Sequence, residues 1–453
     1  MRTRSSSFAV TAVVLIGILW MGIAHPWLAR ASENETDATN TVSVVVQFSD
    51  TDRLIRKVTF SSYTITGLNA LLNSGLDVVT KDYSGVTAVC AIEGVGCPAD
   101  NCFCGGSTFW NYEYWGGSDW QSHSLGASAT TLYNGAVDGW RWGEWDGDPI
   151  VPFPQLDDAW KALQWLKSQQ NSDGGYGSPS SSASSSVESL LAMAANHEKA
   201  AEWKKDSASS SMLAYLMANA AGYTKNGAGA AGKFAVGASA SEICMPYQAK
   251  VPADFYDSSN GEFDAGAGPQ AWAILGTLAL SDTVPVAAVN YLKGLALSDG
   301  GWEWSQGWTA DTNTTSLAIQ ALVAAGEPIT DTVITNALAF LKTAQNNDGG
   351  FTYDPDSSWG TDSDANSTAY VLQAIYAVGQ DPTSAAWQKN GKTAFDFLST
   401  VQLDEGSFGW QTSQNSNLLA TQQVIPALLG RPAPFAISTV EACKVNFMPL
   451  ISR

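Results

Sequence analysis

Phe340-Leu341-Lys342-Thr343-Ala344-Gln345-Asn346-Asn347-Asp348-Gly349-Gly350-Phe351 is the stretch that decides the fold. It starts as the end of an amphipathic helix and reaches a Gly-Gly step that permits positive φ and a tight reversal. It closes on an aromatic ring able to fill the gap between neighbouring helices, with Gln345 placed to hydrogen-bond a helix terminus. The string recurs. Trp165-Leu166-Lys167 leads to Gln170 and Asp173-Gly174-Gly175-Tyr176, and Tyr291-Leu292-Lys293 leads to Asp299-Gly300-Gly301-Trp302. Phe397-Leu398 leads to Gln402 and Gly406-Ser407-Phe408. Leu292, Leu341 and Leu398 are 49 and 57 residues apart, and the 126 residues from Leu166 to Leu292 hold two units plus an insertion. Such a period marks stacked helix pairs, in which no unit buries its own apolar face.

A helix rich in Ala, Leu and Ile follows each glycine turn, with few charges, as an enclosed inner helix requires. These are Val187–Ala195, Ala228–Ala240, Ala271–Leu280, Thr314–Ala325, Thr368–Val378 and Leu418–Leu429. The helices before the turns are more amphipathic: Ala159–Lys167, Met212–Ala221, Val286–Leu295, Ile334–Lys342 and Lys392–Leu398. Five outer and six inner helices imply a nearly complete double ring over 155–432, with a tail at 433–453. The pattern aromatic-Leu-x₃-Gln-x₂₋₅-Gly-x-aromatic resembles the QW repeat of terpene cyclases and the related repeats of protein prenyltransferase β subunits. The resemblance implies an α/α toroid, and fold does not by itself set function.

Upstream, Val42, Val44, Val46 and Phe48 alternate with smaller or polar residues, so Asn40 to Phe48 reads as a strand. Further strands are expected at Thr59–Tyr63 and Val86–Ile92, with a short helix opening at Gly67. Trp110, Tyr112 and Tyr114 recur at strand spacing, followed by Trp115, and Trp140 and Trp142 repeat that spacing. Cys90, Cys97, Cys102 and Cys104 lack the paired spacing of a zinc site and read as two disulfides with three connectivities open. Cys244 and Cys443 stand apart and are candidates for a third bridge, from the helices to the tail. The expected fold class is therefore multidomain α + β. A small disulfide-braced β-rich domain over 40–148 precedes the toroid across the turn-rich Asp146-Gly147-Asp148-Pro149.

Three segments of this β domain carry a second resemblance. Gly67-Leu68-Asn69-Ala70-Leu71, Phe109-Trp110-Asn111-Tyr112 and Gly135-Ala136-Val137-Asp138-Gly139-Trp140-Arg141-Trp142-Gly143 are similar to the small β domain of transcobalamin and intrinsic factor. In that family the domain covers one face of cobalamin and accompanies a toroid, although the domain order here is reversed. The resemblance implies a small-molecule ligand, with a corrinoid as the candidate class, held between β domain and toroid mouth. Expected contacts are Trp110, Tyr112, Trp115, Trp140 and Trp142 from the β domain, and Trp304, Trp308, Asp311, Trp359 and Asp364 from the toroid. Aromatics supply contact area, and a few polar groups set orientation. His123 is a conceivable cobalt ligand.

Composition narrows the function classes. The net charge is −20, and −23 once Arg2, Arg4 and Arg30 are removed, which disfavours nucleic acid and anionic lipid as partners. Arg2 and Arg4, an apolar run from Phe8 to Ala24, and Ala29-Arg30-Ala31 read as a signal peptide over 1–31. The expected location is secreted or cell-envelope, with a partner transporter or envelope protein, and an uncleaved anchor is the rival reading. No catalytic residue set is assigned. His197 and Cys244 do not make a zinc site, and Asp362-Ser363-Asp364-Ala365 supplies two of the three acids in the D-x-D-D of triterpene cyclases. Asp364-Ala365-Asn366-Ser367-Thr368 aligns with Asp311-Thr312-Asn313-Thr314-Thr315, so a repeated helix cap is the favoured role. Two other functions stay open: a cyclase-type enzyme using the toroid cavity, and a non-enzymatic surface module for protein or glycan contacts. The second gains if the toroid centre is plugged.

Overall fold

Alternation at the start of the β region is realised as β1 (Asn40–Ser49), paired antiparallel with β2 (Asp52–Phe60). Of the expected strand at Thr59–Tyr63 only Thr59 and Phe60 are strand, as the end of β2, because a tight turn at 50–51 brings the chain straight back along β1 and the pairing stops at Phe60. The computed structural model describes residues 39–147, 150–246 and 248–435. The expected signal peptide, Cys443 and most of the tail lie outside them.

β3 (Ile65–Thr66) leads into α1 (Gly67–Leu72), and β4 (Val78–Tyr83), β5 (Val86–Ile92) and β6 (Val95–Gly96) form a small antiparallel sheet. β7 (Phe109–Trp115), β8 (Trp120–Ser122), β9 (Thr131–Leu132) and β10 (Val137–Gly143) complete the β domain. The main sheet runs β2-β1-β10-β7-β8, with β1 and β10 parallel. Cys90–Cys102 and Cys97–Cys104 are the two disulfides of the cluster. Cys244 is also disulfide-bonded, while its expected partner Cys443 is outside the described residues.

The sheet has two apolar faces. Val42, Val44, Val46, Leu54 and Val58 pack with α1, Trp110 and Trp140 in a core of the β domain's own. Val45 and Ile55, on the opposite face, belong to the core of the helical body. The period of two thus divides one strand between two cores.

The helical body alternates outer and inner helices. Outer helices are α2 (Phe153–Ser168), α4 (Met212–Thr224), α7 (Val286–Gly294), α9 (Thr332–Thr343) and α11 (Ala394–Val401). Inner helices are α3 (Ala183–Ala194), α5 (Ala228–Ala240), α6 (Ala267–Ala279), α8 (Thr312–Ala324), α10 (Ala365–Ala377) and α12 (Leu418–Leu428). Each inner helix packs on the next, and α12 packs on α3 and α2, closing the ring. Where a sixth outer helix would stand, before α6, there is a short 3₁₀ turn, Pro252–Phe255.

The repeat string explains the joints between units. Gln345 Nε2 donates to the Gly349 carbonyl at 3.1 Å and to the Trp387 carbonyl of the following unit at 2.8 Å. Gln170 and Gln402 do the same, Gln402 reaching the Asp158 carbonyl of α2 at 3.0 Å. Gly349 has φ +90°, and a Cβ there would overlap the Thr393 carbonyl at the start of α11. Glycine is required both by the turn and by this close approach. The unit with the 3₁₀ turn keeps the joint by another route: Gln270 of α6 donates to the Gly261 and Ala288 carbonyls at 3.2 and 3.1 Å.

Candidate functional site

Four of the five aromatics expected in the β domain meet at one place. The even-numbered side chains of β7 and β10, Trp110, Tyr112, Trp140 and Trp142, line a groove of about 230 Å³ beneath Val86, Val89 and Phe103. Trp110 and Trp142 lie 5.4 Å apart between ring centroids, and Tyr112 and Trp140 lie 4.6 Å apart. The disulfides hold the loop that carries Phe103 against this wall. Trp110 and Trp140 are buried, 8% and 3% exposed, yet neither indole N–H has a hydrogen-bond partner. A buried unpaired donor costs about 1–3 kcal/mol, and both nitrogens are closed off from solvent. Trp115 is not in the groove: its ring packs edge-on against Trp120, 5.6 Å away.

Asp138, fully buried, anchors the groove floor. It accepts from the Tyr112 hydroxyl at 2.5 Å and contacts His123 Nε2 at 2.9 Å. Burial and the neighbouring Asp138 carboxylate push the Tyr112 hydroxyl far above its usual pKa, so it stays a donor. The His123 ring stacks on Tyr112 at 4.1 Å. His123 Nε2 is thereby held by Asp138. Gly67 is at the first turn of α1 because a Cβ there would overlap the Tyr112 hydroxyl.

The toroid candidates lie elsewhere. Asp311 and Asp364 cap the N-termini of α8 and α10, with Trp304, Trp308 and Trp359 in the loops beside them. The β domain sits at the C-terminal ends of the inner helices. The Ile55 N–H donates to Asn196 Oδ1, just beyond α3, at 2.9 Å, and Arg53 Nη1 donates to the Leu429 carbonyl after α12 at 2.9 Å. A 13-residue inner helix is about 20 Å long, so the two expected halves of one ligand site are at opposite ends of the ring. The groove, moreover, is on the sheet face turned away from the helices.

A different cleft occupies the seam. It measures about 430 Å³ and is lined by Gln47, Arg53, Gln155, Tyr376, Gln380 and Asp381 among others. None of these stands in an aromatic or repeat motif, so the sequence offered no signal for them beyond the oddity of a charged Arg53 inside a strand.

The repeated acids are caps. Asp311 accepts from the Thr314 N–H at 2.7 Å and its hydroxyl at 2.8 Å, and Asp364 accepts from the Ser367 N–H at 2.8 Å and its hydroxyl at 2.7 Å. Burial raises both carboxyls, Asp311 to about 6. A raised carboxyl stabilises the fold below its unfolded value and loses that contribution as pH rises through the folded one. Asparagine caps equally well. Asp311→Asn is therefore expected to match the parent near pH 4 and to exceed it by about 1–3 kcal/mol at pH 7, the gain developing between 3.8 and about 6. Urea unfolding across that range checks it, and a gain independent of pH would refute the assignment.

The ring centre is nearly filled. Trp272, Leu317, Tyr370, Gln373, Pro426, Ala433 and Phe435 crowd a cavity of about 20 Å³. That is room for one water. Lys233 pairs with Glu188 and lies over the Trp272 ring at 5.0 Å, while Gln422 donates to Ser189 Oγ at 2.6 Å. Among the described residues no group of three or more His, Cys, Asp or Glu is arranged to hold a metal ion, and no helix is long and apolar enough to cross a membrane.

The helical region is thus an α/α toroid of the terpenoid cyclase and prenyltransferase type of fold, preceded by a β-rich disulfide-containing region. Residues 269–429 match the prenyltransferase α/α toroid domain, which leaves the β domain outside the match. No curated protein matches the chain. A type II terpene cyclase from Scytonema, in complex with geranylgeranyl dihydroxybenzoate, is similar with TM-score 0.43 and 16% identity, covering 61% of this chain and 98% of that one. A protein from Actinoplanes gives 0.40 and 16%, covering 61% and 99%. A glycosidase in complex with glucose gives 0.41 and 11%, covering 60% and 95%.

Proposed function

We propose that this chain is an exported, non-catalytic binding protein that holds a small flat ligand in the aromatic groove of its β domain. The observation that carries the reading is the wall formed by Trp110, Tyr112, Trp140 and Trp142 along one side of a 230 Å³ groove. Such a wall favours a flat ring whose faces stack on it. The toroid then serves as the scaffold. Two disulfides support an oxidising, extracytoplasmic location. The corrinoid proposal draws on the β-domain resemblance, and a corrinoid would lie mostly outside a groove of this size.

Titration with cobinamide, free flavin and adenine, followed by quenching of tryptophan fluorescence, tests it. Trp142→Ala removes one ring of the wall and is expected to weaken the bound probe about tenfold. Absence of quenching by all three probes, or a Trp142→Ala variant that binds as tightly, defeats the reading.

One observation favours a second reading. A carboxyl raised toward neutrality at an inner-helix N-cap suits a general acid, and Asp311 and Asp364 are both raised. The cyclase named for the Scytonema structure would be the analogue, with an isoprenoid in the ring centre. The 20 Å³ interior weighs against it. Incubation with geranylgeraniol decides the matter: no cyclised product is expected. Asp364→Asn is expected to fold normally and, its carboxyl being raised by burial as that of Asp311 is, to be no less stable than the parent at pH 7.

A further inference from the structure

At the end of the ring opposite the β domain, three successive repeat loops span 302–311, 351–364 and 408–417. Each begins on a buried aromatic (Trp302, Phe351, Phe408) and places an exposed aromatic two residues later: Trp304, Tyr353 and Trp410. These positions are structurally equivalent. The Thr312 N–H at the start of α8 donates to the Tyr353 carbonyl at 2.9 Å, and the Ala365 N–H at the start of α10 donates to the Trp410 carbonyl at 2.8 Å. The Trp304 ring lies on Gly268 in the first turn of α6, where a Cβ would overlap it. The three rings therefore sit over the N-termini of α6, α8 and α10, consecutive members of the inner ring, at spacings of about 10 Å. Trp308 and Trp359 extend the row and are 64% and 97% exposed. Four of the five exposed tryptophans among the described residues are thus concentrated on this rim.

We propose that this rim binds a neutral polysaccharide chain, with Trp304, Tyr353 and Trp410 as successive stacking platforms. The three loops contain no Lys or Arg, and their polar groups are Ser, Thr, Asn, Gln and carboxylates. That inventory repels phosphate, sulfate and uronate groups. It offers both donors and acceptors for hydroxyls around rings whose faces pack on the C–H faces of sugars. A ligand that itself repeats matches a platform that repeats, and the spacing is comparable to a disaccharide. An apolar peptide would not use the ring of hydroxyl and amide groups, and nothing in the groove of the β domain is needed for this surface.

Native affinity electrophoresis of the full chain in gels containing hydroxyethylcellulose, xyloglucan, soluble starch or dextran tests the proposal. Retardation by at least one is expected, and it should withstand added salt. Trp359→Ala and Trp410→Ala, both at exposed rings, should each weaken it about tenfold with thermal unfolding unchanged. The proposal is overturned by no retardation in any neutral glycan. It is equally overturned by retardation that the two variants leave intact, or by retention confined to poly-lysine and lost in salt, which would mark the rim as a cation-binding surface.

Discussion

Gly406→Ala is expected to cost about 2–4 kcal/mol and to loosen the one joint of the ring that links its last unit to its first. Gly406 has φ +95°, and a Cβ there would stand 2.6 Å from the Lys161 carbonyl of α2. Beside it, Gln402 Nε2 bridges the Asp158 carbonyl of α2 and the Gly406 carbonyl. Two contributions add: backbone strain, and displacement of α2 from the closing turn. Gly307 separates them, because it has φ +91° and nothing lies within 4 Å of the place a Cβ would take. Gly307→Ala should therefore show the strain alone, about 1 kcal/mol. Hydrogen exchange should speed up along α2 in Gly406→Ala and remain unaltered in Gly307→Ala. If the two variants lose equal stability, close approach is not why this position is glycine.

The same joints show what could be read in the chain and what could not. Three strings of Gln, Gly and aromatic were visible because each is local: the glutamine bonds a carbonyl four residues on, and the glycine turns within the string. All six inner helices were visible too, since enclosure on every side demands uncharged Ala- and Leu-rich segments. The unit before α6 was harder. Its glutamine, Gln270, comes from the inner helix rather than from before the turn, so the string is absent while the bond persists.

In the β domain, the period-two aromatics Trp110, Tyr112, Trp140 and Trp142 share one face and line the groove. Trp115 has odd parity, and parity alone assigns it to the other face. The end of the ring on which the β domain docks was not legible. It depends on contacts such as Arg53 to Leu429 and Ile55 to Asn196, made by polar residues that belong to no motif. Aromatics at the toroid rim were found, and only the structure shows that they look away from the groove.

That docking supplies the second large effect. Asp52 Oδ1 contacts Arg431 Nη2 at 3.0 Å and His197 Nε2 at 2.6 Å, with buried Arg53 adjacent. Burial raises the Asp52 carboxyl, but Arg431, His197 and Arg53 outweigh it and hold it below the usual value. Burial, followed by Arg431, holds His197 below its usual value, with Asp52 opposing. Asp52→Ala removes the carboxylate that contacts the buried Arg431 guanidinium, and the expected loss is about 3–5 kcal/mol. The pH dependence has a definite sign. A lowered His197 contributes stability above 6.5 that is lost as pH falls toward its folded value. Removing Asp52 removes the one group that restrains this lowering. The deficit of Asp52→Ala should therefore widen below pH 6.5. Urea unfolding at pH 8 and pH 5.5 measures the widening. A deficit under about 1 kcal/mol, or one that narrows in acid, would mean that the seam is held by the Val45 and Ile55 contacts and not by this carboxylate.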